Sequence, residues 1–424
     1  MNPPAEPLPR VAILHYSAPP VVGGVEAVIQ AHAQLLCQAG YPVTVVAGRG
    51  EARALPEGAE LVLVPEIDSR HPAVARASEQ LARGHVPTDF ETLRDALLQR
   101  LAPILAGVDD LIVHNVFTKH FNLPLTAALD CLLDRPDAPH CIAWCHDFTW
   151  TSPSSGSKVR PGYPWDLLRS QRRDVTYAVV SQRRQQELAG LFGCSPQEIR
   201  VVYNGVDPQA VLGLSPEGAA LVKRLGLLDR DLVLLMPVRV TQAKNVEYAL
   251  RVVAALKARG CRLRLVLTGP PDPHDAGNMD YYRALLELRR DLGVEEEMRF
   301  VFELVSDRGQ PTLIDASVVG DLFRASDLMF MPSHREGFAM PVLEAGLAGM
   351  PVVSTDVPAS VEIGGQDVIL FDLAEAPEEV AGRILVWAEG SAVHRLRRRV
   401  RQKYTWQAIF RRDLVPLLRG KEPA

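Results

Sequence analysis

A chain of 424 residues is too long for one ordinary hydrophobic core and suits two or three domains of about 100–200 residues each. Its 47% hydrophobic and 23% charged residues exclude a fibrous or disordered chain. A net charge of −5 excludes a strong overall attraction to nucleic acid or anionic lipid, so any anion site has to be local.

Residues 1–10 lack the charged start and apolar core of a signal peptide. No apolar run reaches the ~18 residues of a membrane span, so membrane contact is peripheral at most. Six scattered cysteines read as reduced thiols, which favours a cytoplasmic protein. The first structured segment is a strand at Val11–Tyr16. A loop with Gly23 and Gly24 follows, then a helix over Val25–Gln38 and a strand over Val43–Ala47. Further strands are expected at Leu111–His114, Cys141–His146, Tyr177–Ser181 and Arg200–Tyr203. Alternation of this kind argues for a mostly parallel α/β sheet with helices on both faces. A second series of the same kind begins beyond Asn204–Asp207, with strands at Leu232–Val238, Leu263–Thr268, Arg299–Phe302, Leu328–Met331, Pro351–Ser354 and Val368–Phe371. The expected organisation is two Rossmann-like lobes, 1–207 and 208–403, and a segment 404–424 that packs back on the first lobe. Within that segment Thr405–Leu418 has the pattern of an amphipathic helix.

Ligands of open parallel sheets bind at the carboxyl ends of the strands. The richest such segment is Pro332–Glu344, which leads from a strand into a helix whose expected first residue is Pro341. Unsatisfied N–H groups around Gly337–Leu343 would form an anion site, since a helix N-terminus carries roughly half a positive charge. Glu336 precedes that helix and Glu344 lies in its first turns; taken alone, both read more readily as favourable charges near a helix start than as ligand contacts. Arg239 and Lys244 follow the second series' first strand, where they would neutralise a leaving diphosphate, or simply stand in solvent. Gly23 and Gly24 would let backbone N–H groups approach a ligand, or merely form a turn.

Together these segments resemble the retaining glycosyltransferases of family 4, which have the GT-B fold: two Rossmann-like lobes with parallel sheets facing a central cleft. The resemblance rests on Gly23 to Glu26, Asn204 to Asp207, Arg239 with Lys244, and Glu336 with Glu344 in a Glu-x7-Glu spacing, and it runs over nearly the whole chain. It implies that Glu336 contacts the hydroxyls of the donor sugar and Glu344 those of the ribose. Gly337, Phe338, Ala339 and Met340 would lie along the sugar and distal phosphate. Arg239 and Lys244 would hold the diphosphate, with Gly23 and Gly24 closing from the first lobe. His146, at the end of a first-lobe strand, is similar to the family's histidine near the reacting sugar. The implied donor is a nucleoside diphosphate sugar, the acceptor a hydroxyl of unknown type, and no metal cofactor is required. Base recognition is expected near Phe302–Val305, and the acceptor against Phe117–Asn122 and Phe148–Pro153. Two positions depart from the family pattern: Val238 stands where glycine is common and Gln182 where an acid is usual.

Other readings stay open beside this one. His140, Cys141, Cys145 and His146 lie close in sequence, but strand alternation splits them between faces and argues for buried thiols over zinc. The basic run Arg395–Arg401 reads as a solvated helix face, and a lipid acceptor is not predicted. A glycoside phosphorylase of the same fold and a non-catalytic subunit that binds a sugar nucleotide are the functional alternatives. A dinucleotide-dependent oxidoreductase lacks its G-x-G-x-x-G fingerprint.

Overall fold

The computed structural model describes residues 8–271, 277–304 and 314–418. They divide into two compact units, Met1–Gly205 with Trp406–Ala424, and Val206–Thr405.

The sheet of the first unit has seven strands: β1 (Val11–His15), β2 (Val43–Ala47), β3 (Ala59–Leu63), β4 (Asp110–His114), β5 (His140–Cys145), β6 (Val175–Val179) and β7 (Arg200–Val201). They run parallel in the order β3-β2-β1-β4-β5-β6-β7, with Val11 level with Val43 on one side and Asp110 on the other. The chain therefore reverses its winding between β1 and β4, and the loops leaving those two strands part to form a crevice. Both faces of the sheet are covered, which is why its central strands are continuous apolar runs. Leu14, Val113 and Ala143 pack against Leu97, Leu101 and Leu129 of the helices Phe90–Leu105 and Leu123–Leu133. Ile13, Ile112 and Trp144 face Ile29 and Leu36 of the helix Gly24–Gln38.

That second face is completed by the C-terminal segment, which buries Ile409, Leu414 and Leu418 in the same cluster. A single helix over Thr405–Leu418 is not what forms. Trp406–Ile409 is α-helical, Phe410–Leu414 is a π turn and Val415–Leu417 is a 3-10 turn. Pro416 lacks the N–H that a continuing helix would need, so the segment turns onto the sheet in short pieces. Sequence periodicity also passed over β3, a half-exposed edge strand containing Glu60. The remaining strands lie where the apolar runs place them, with ends shifted by up to two residues.

The second unit repeats the design with six parallel strands: β8 (Leu232–Met236), β9 (Leu263–Leu267), β10 (Met298–Phe300), β11 (Leu328–Met331), β12 (Val352–Thr355) and β13 (Ile369–Phe371). Their order is β10-β9-β8-β11-β12-β13, so the switch point lies between β8 and β11. Leu234, Leu265 and Phe330 pack on the helices Val246–Ala258 and Pro377–Gly390, and Val233, Val266 and Met329 on Pro216–Arg224 and Ala316–Ala325. Ser215 and Asp315 start the last two helices by accepting the N–H of Gly218 and Val318.

The basic run Arg395–Arg401 is only in part the solvated face expected of it: Arg395, Arg398 and Arg399 are exposed, whereas Arg397 and Arg401 turn inward. It lies in the helix Ala392–Lys403, where helical spacing puts His394, Arg397 and Arg401 on one side. Arg401 is 7% exposed and grips both oxygens of Asp327 at 2.7 and 3.0 Å, while Arg397 donates to the Ser326 carbonyl at 2.8 Å. The inward side of the run is thus tied to the residues that lead into β11. Among the described residues no helix is long and apolar enough to cross a membrane.

Candidate active site

In the second unit, the loops after β8 and β11 meet at the switch point. The loop carrying Arg239 is held down by Gly269, whose N–H donates to the Val238 carbonyl at 3.0 Å. A Cβ on Gly269 would lie 2.7 Å from that carbonyl and 2.9 Å from Arg239 Cα, so only glycine permits this approach. Val238, the departure from the family's glycine, turns its side chain into the core. Arg239 is left exposed on the loop. Beyond it, a 3-10 turn over Gln242–Lys244 ends at Asn245, whose φ of 49° is left-handed, and the helix Val246–Ala258 begins.

This turn brings Lys244 to the loop after β11. Its ammonium lies 2.7 and 2.8 Å from the two carboxylate oxygens of Glu336, whose side chain is only 7% exposed. The backbones are joined as well, His334 N–H donating to the Ala243 carbonyl at 2.9 Å. Thr355 Oγ1, at the end of β12, fixes the far side of the loop by donating to the Ser333 carbonyl at 2.6 Å. Ala339 adopts a left-handed φ of 56°, and the helix Met340–Leu347 starts directly after it, with Pro341 in its first turn. A Cβ on Gly337 would meet nothing within 4 Å, so open space lies over its backbone. Phe338 and Met340 are 56% and 53% exposed, and Glu344 is exposed one turn into the helix. Lys244, Glu336 and the loop from Gly337 to Met340 therefore form one surface, beside a helix start that favours negative charge.

At the edge of the same sheet, beyond β9, the turn Val301–Glu303 follows β10, and the Glu303 carboxylate is fixed by Tyr282 Oη at 2.5 Å and by Arg289 at 2.8 and 3.1 Å. Of the segment expected to recognise a base, Val305 lies outside the described residues.

In the first unit the corresponding crevice lies between the loops after β1 and β4. Gly23 and Gly24 open the helix Gly24–Gln38, and the buried Glu26 accepts from Ser17 Oγ at 2.5 Å. Glu26 folds over Gly23 so closely that a Cβ there would collide with its carboxylate. His15, the last residue of β1, donates through Nδ1 to the His114 carbonyl at 3.0 Å. His114 Nδ1 in turn lies 3.1 Å from Nε2 of His146. Asn115, with a left-handed φ of 63°, accepts the His146 N–H at 2.8 Å and locks the loop after β4 to the loop after β5.

These contacts select a tautomer. His114 Nε2 is buried and has no partner among the described residues. Were it protonated, a buried N–H would go unsatisfied at about 1–3 kcal/mol, so the proton belongs on His114 Nδ1, which donates to His146 Nε2. His146 is then left with its proton on Nδ1 and acts as a hydrogen-bond donor. Burial, and after it the neighbouring His15, lowers the His146 pKa to about 4, so the ring is neutral at neutral pH. Sequence reasoning singled out His146 but not His114, Asn115 or Gly269, whose contacts are with neighbours remote in the chain.

The histidines and cysteines around β5 have other partners. His140 donates through Nδ1 to Asp110 at 2.8 Å and meets Thr176 Oγ1 at 3.2 Å. Cys141 and Cys145 are buried, and burial pushes the Cys145 thiol up to about 12. Among the described residues no group of three or more His, Cys, Asp or Glu is arranged to hold a metal ion. At the position of the other departure, Ser181 caps the helix Gln182–Phe192, and Arg184 finds its acids in Asp147 and Glu187.

Comparison with known proteins matches residues 220–404 to the family model described as Glycosyl transferases group 1, and residues 22–210 to the one described as Glycosyltransferase Family 4. A D-inositol 3-phosphate glycosyltransferase of Saccharomonospora viridis is 27% identical over 418 residues, covering 94% of this chain and 91% of that protein. Its namesake from Kribbella flavida is 27% identical over 376 residues, covering 84% and 82%. Among solved structures, Anabaena HepE in complex with UDP and glucose is 18% identical and covers 97% of each chain, with a TM-score of 0.34.

Proposed function

This chain belongs to the group 1 glycosyltransferases, and we propose that it moves a hexosyl unit from a nucleoside diphosphate sugar to a hydroxyl acceptor with retention of anomeric configuration. The observation that carries the reading is the Lys244–Glu336 pair at the switch point of the second sheet, beside the start of the helix Met340–Leu347. Glu336 accepts hydrogen bonds from the sugar hydroxyls and Glu344 from the ribose. The backbone from Gly337 to Met340 follows the sugar and distal phosphate, Arg239 and Lys244 hold the diphosphate, and Gly23 and Gly24 contribute backbone N–H groups. The acceptor attacks the oxocarbenium-like sugar from the face the leaving group departs. The acceptor's proton passes to the leaving phosphate, whose growing charge is stabilised by Arg239, Lys244 and the helix N-terminus. His146 donates its Nδ1 proton in a hydrogen bond to a sugar or acceptor oxygen. Two cationic side chains make a metal unnecessary in this scheme, and the site of action is the cytoplasm.

The test is a product assay with UDP-, GDP- and ADP-glucose and a panel of hydroxyl acceptors. Release of nucleoside diphosphate together with an α-linked product from the α-configured donor is expected, and Glu336→Ala should abolish it. Formation of a sugar phosphate from inorganic phosphate and a glycoside would instead identify a phosphorylase. Binding of a sugar nucleotide with no turnover on any acceptor would favour the non-catalytic subunit.

A further inference from the structure

On the helix Gly24–Gln38, His32 falls between Ile29 and Leu36 and is buried with them against the first sheet. A leucine would pack there, whereas a ring with two nitrogens costs desolvation unless both are satisfied. The His32 centroid stands 4.6 Å from the Trp144 ring and 5.7 Å from that of His114. Trp144 and His114 are opposite each other on β5 and β4, with their rings 5.9 Å apart, so the three rings close a triangle. Both nitrogens of His32, Nε2 of His114 and Nε1 of Trp144 are buried and have no partner among the described residues. Left so, each would cost about 1–3 kcal/mol.

One water molecule satisfies the set. Two bonds of about 3 Å let a water join polar atoms that do not bond directly, and two to four polar partners hold it. The indole N–H of Trp144 can only donate, so the water accepts from it and has two hydrogens left to place. Burial, and after it His146, lowers the His32 pKa to about 3, so this ring is neutral and offers one bare nitrogen. The other acceptor is a bare Nε2 on His114; were that atom protonated, one hydrogen of the water would have no acceptor. The remaining nitrogen of His32 keeps its proton, with the Trp406 ring perpendicular to it at 5.8 Å as a weak acceptor.

We propose that His32, His114 and Trp144 enclose a water molecule and that Trp144, through it, sets the direction of the hydrogen-bond chain ending at His146, which makes Trp144 and His32 positioning residues. The chain runs from the indole N–H to the water and from the water to His114 Nε2. It continues from His114 Nδ1 to His146 Nε2, 3.1 Å away, and leaves the His146 proton on Nδ1. An indole has no acceptor, so the chain cannot reverse without losing its first bond. Its use in catalysis rests on the glycosyltransferase reading above, in which that Nδ1 proton meets a sugar or acceptor oxygen; its direction does not.

NMR of the ligand-free protein tests the direction. The Trp144 Hε1 proton should show cross-relaxation to a long-lived water, and the His114 ring should have a bare Nε2. In Trp144→Phe and in His32→Leu the nitrogen-15 shifts of His114 and His146 should move to values averaged over two tautomers. His32→Gln, whose amide oxygen can accept from the water, should keep the wild-type pattern. The wild-type water contact is read without any substitution, so it decides even should Trp144→Phe fail to fold. In the product assay, Trp144→Phe should lower kcat about three- to tenfold with the donor KM unchanged, and should add nothing in a His146→Ala background. No water contact at Trp144, a protonated His114 Nε2, a single tautomer kept in both Trp144→Phe and His32→Leu, or equal kcat losses in the two backgrounds overturns the proposal. The expected spectra in a protein that transfers no sugar would uphold the chain and refute the glycosyltransferase reading.

Discussion

Replacing Lys244 by methionine removes the ammonium that holds both oxygens of Glu336 while keeping most of the volume of its stem. The carboxylate left behind has a side chain 7% exposed, and Lys244 itself is 22% exposed. Breaking a buried pair from one side costs about 3–5 kcal/mol, and the partial exposure of Lys244 lets water re-enter, which puts the expected loss near 2–3 kcal/mol. For a unit of this size about 1 kcal/mol corresponds to roughly 2–4 °C, so the melting temperature of the second unit should fall by about 4–12 °C. Adding Glu336→Gln removes the stranded charge and should recover more than half of that loss, a coupling of about 2 kcal/mol. Scanning calorimetry of the wild type, both single variants and the double variant measures it. Nucleotide binding should be weak in Lys244→Met and stay weak in the double variant, because restoring stability does not restore a cation for the diphosphate. A Lys244→Met protein that melts within about 1 °C of the wild type, or a double variant whose losses simply add, would refute the argument that the pair is buried and coupled.

Buried neutral histidines make stability depend on pH. His32 is held at about 3, by burial and then by His146, and His146 at about 4, against 6.5 for a free ring. Because the folded values are depressed, their contribution is complete above pH 6.5 and is lost as pH falls toward the folded values. By about pH 5 each should cost about 2 kcal/mol, and denaturant titrations at successive pH values that show no loss between about pH 7 and 5 would contradict the burial of this cluster. Nitrogen-15 NMR of the His146 ring should show a protonated Nδ1 and a bare Nε2 in the wild type. The tautomer preference should fade in His114→Leu and persist in His114→Asn, whose amide can still donate; the opposite tautomer in the wild type would remove the hydrogen-bonding role assigned to His114. Arg401→Met should destabilise the second unit by about 2–4 kcal/mol, since the Asp327 side chain is 1% exposed and would keep the Val233 N–H at 2.9 Å but, among the described cations, only the more distant Arg397 and His394. A melting temperature equal to the wild type would show that the basic helix is not anchored through this pair.

Both sheets were legible because strands covered on two faces appear as uninterrupted apolar runs, as at Leu232–Met236 and Leu328–Met331. Edge strand β3, with one side in solvent and a glutamate within it, gave no such run. Loop residues at a characteristic spacing, such as Lys244, Glu336 and Glu344, could be singled out as candidates from the chain alone. His114 could not, since it ends an apolar strand and its role comes from a ring 32 residues away. Gly269 resembles any turn glycine until the backbone of Arg239 is placed against it. Charge patterning misled for Arg397 and Arg401, because a run of arginines does not reveal which of them face a buried aspartate. The C-terminal segment showed its apolar residues but not its path, which Pro416 and the π turn determine together.

On the proposed reading, the surface built by Arg239, Lys244, Glu336 and Glu344 holds a nucleoside diphosphate. Calorimetric titration of UDP, GDP, ADP, TDP and CDP into the wild type and into Glu344→Ala tests it most directly. One nucleotide should bind with a dissociation constant in the micromolar range, about −8 kcal/mol, and lose about tenfold or more in the variant with the ribose hydroxyls no longer held. Folded protein that binds none of the five, or binds its preferred nucleotide equally well without Glu344, would contradict the account.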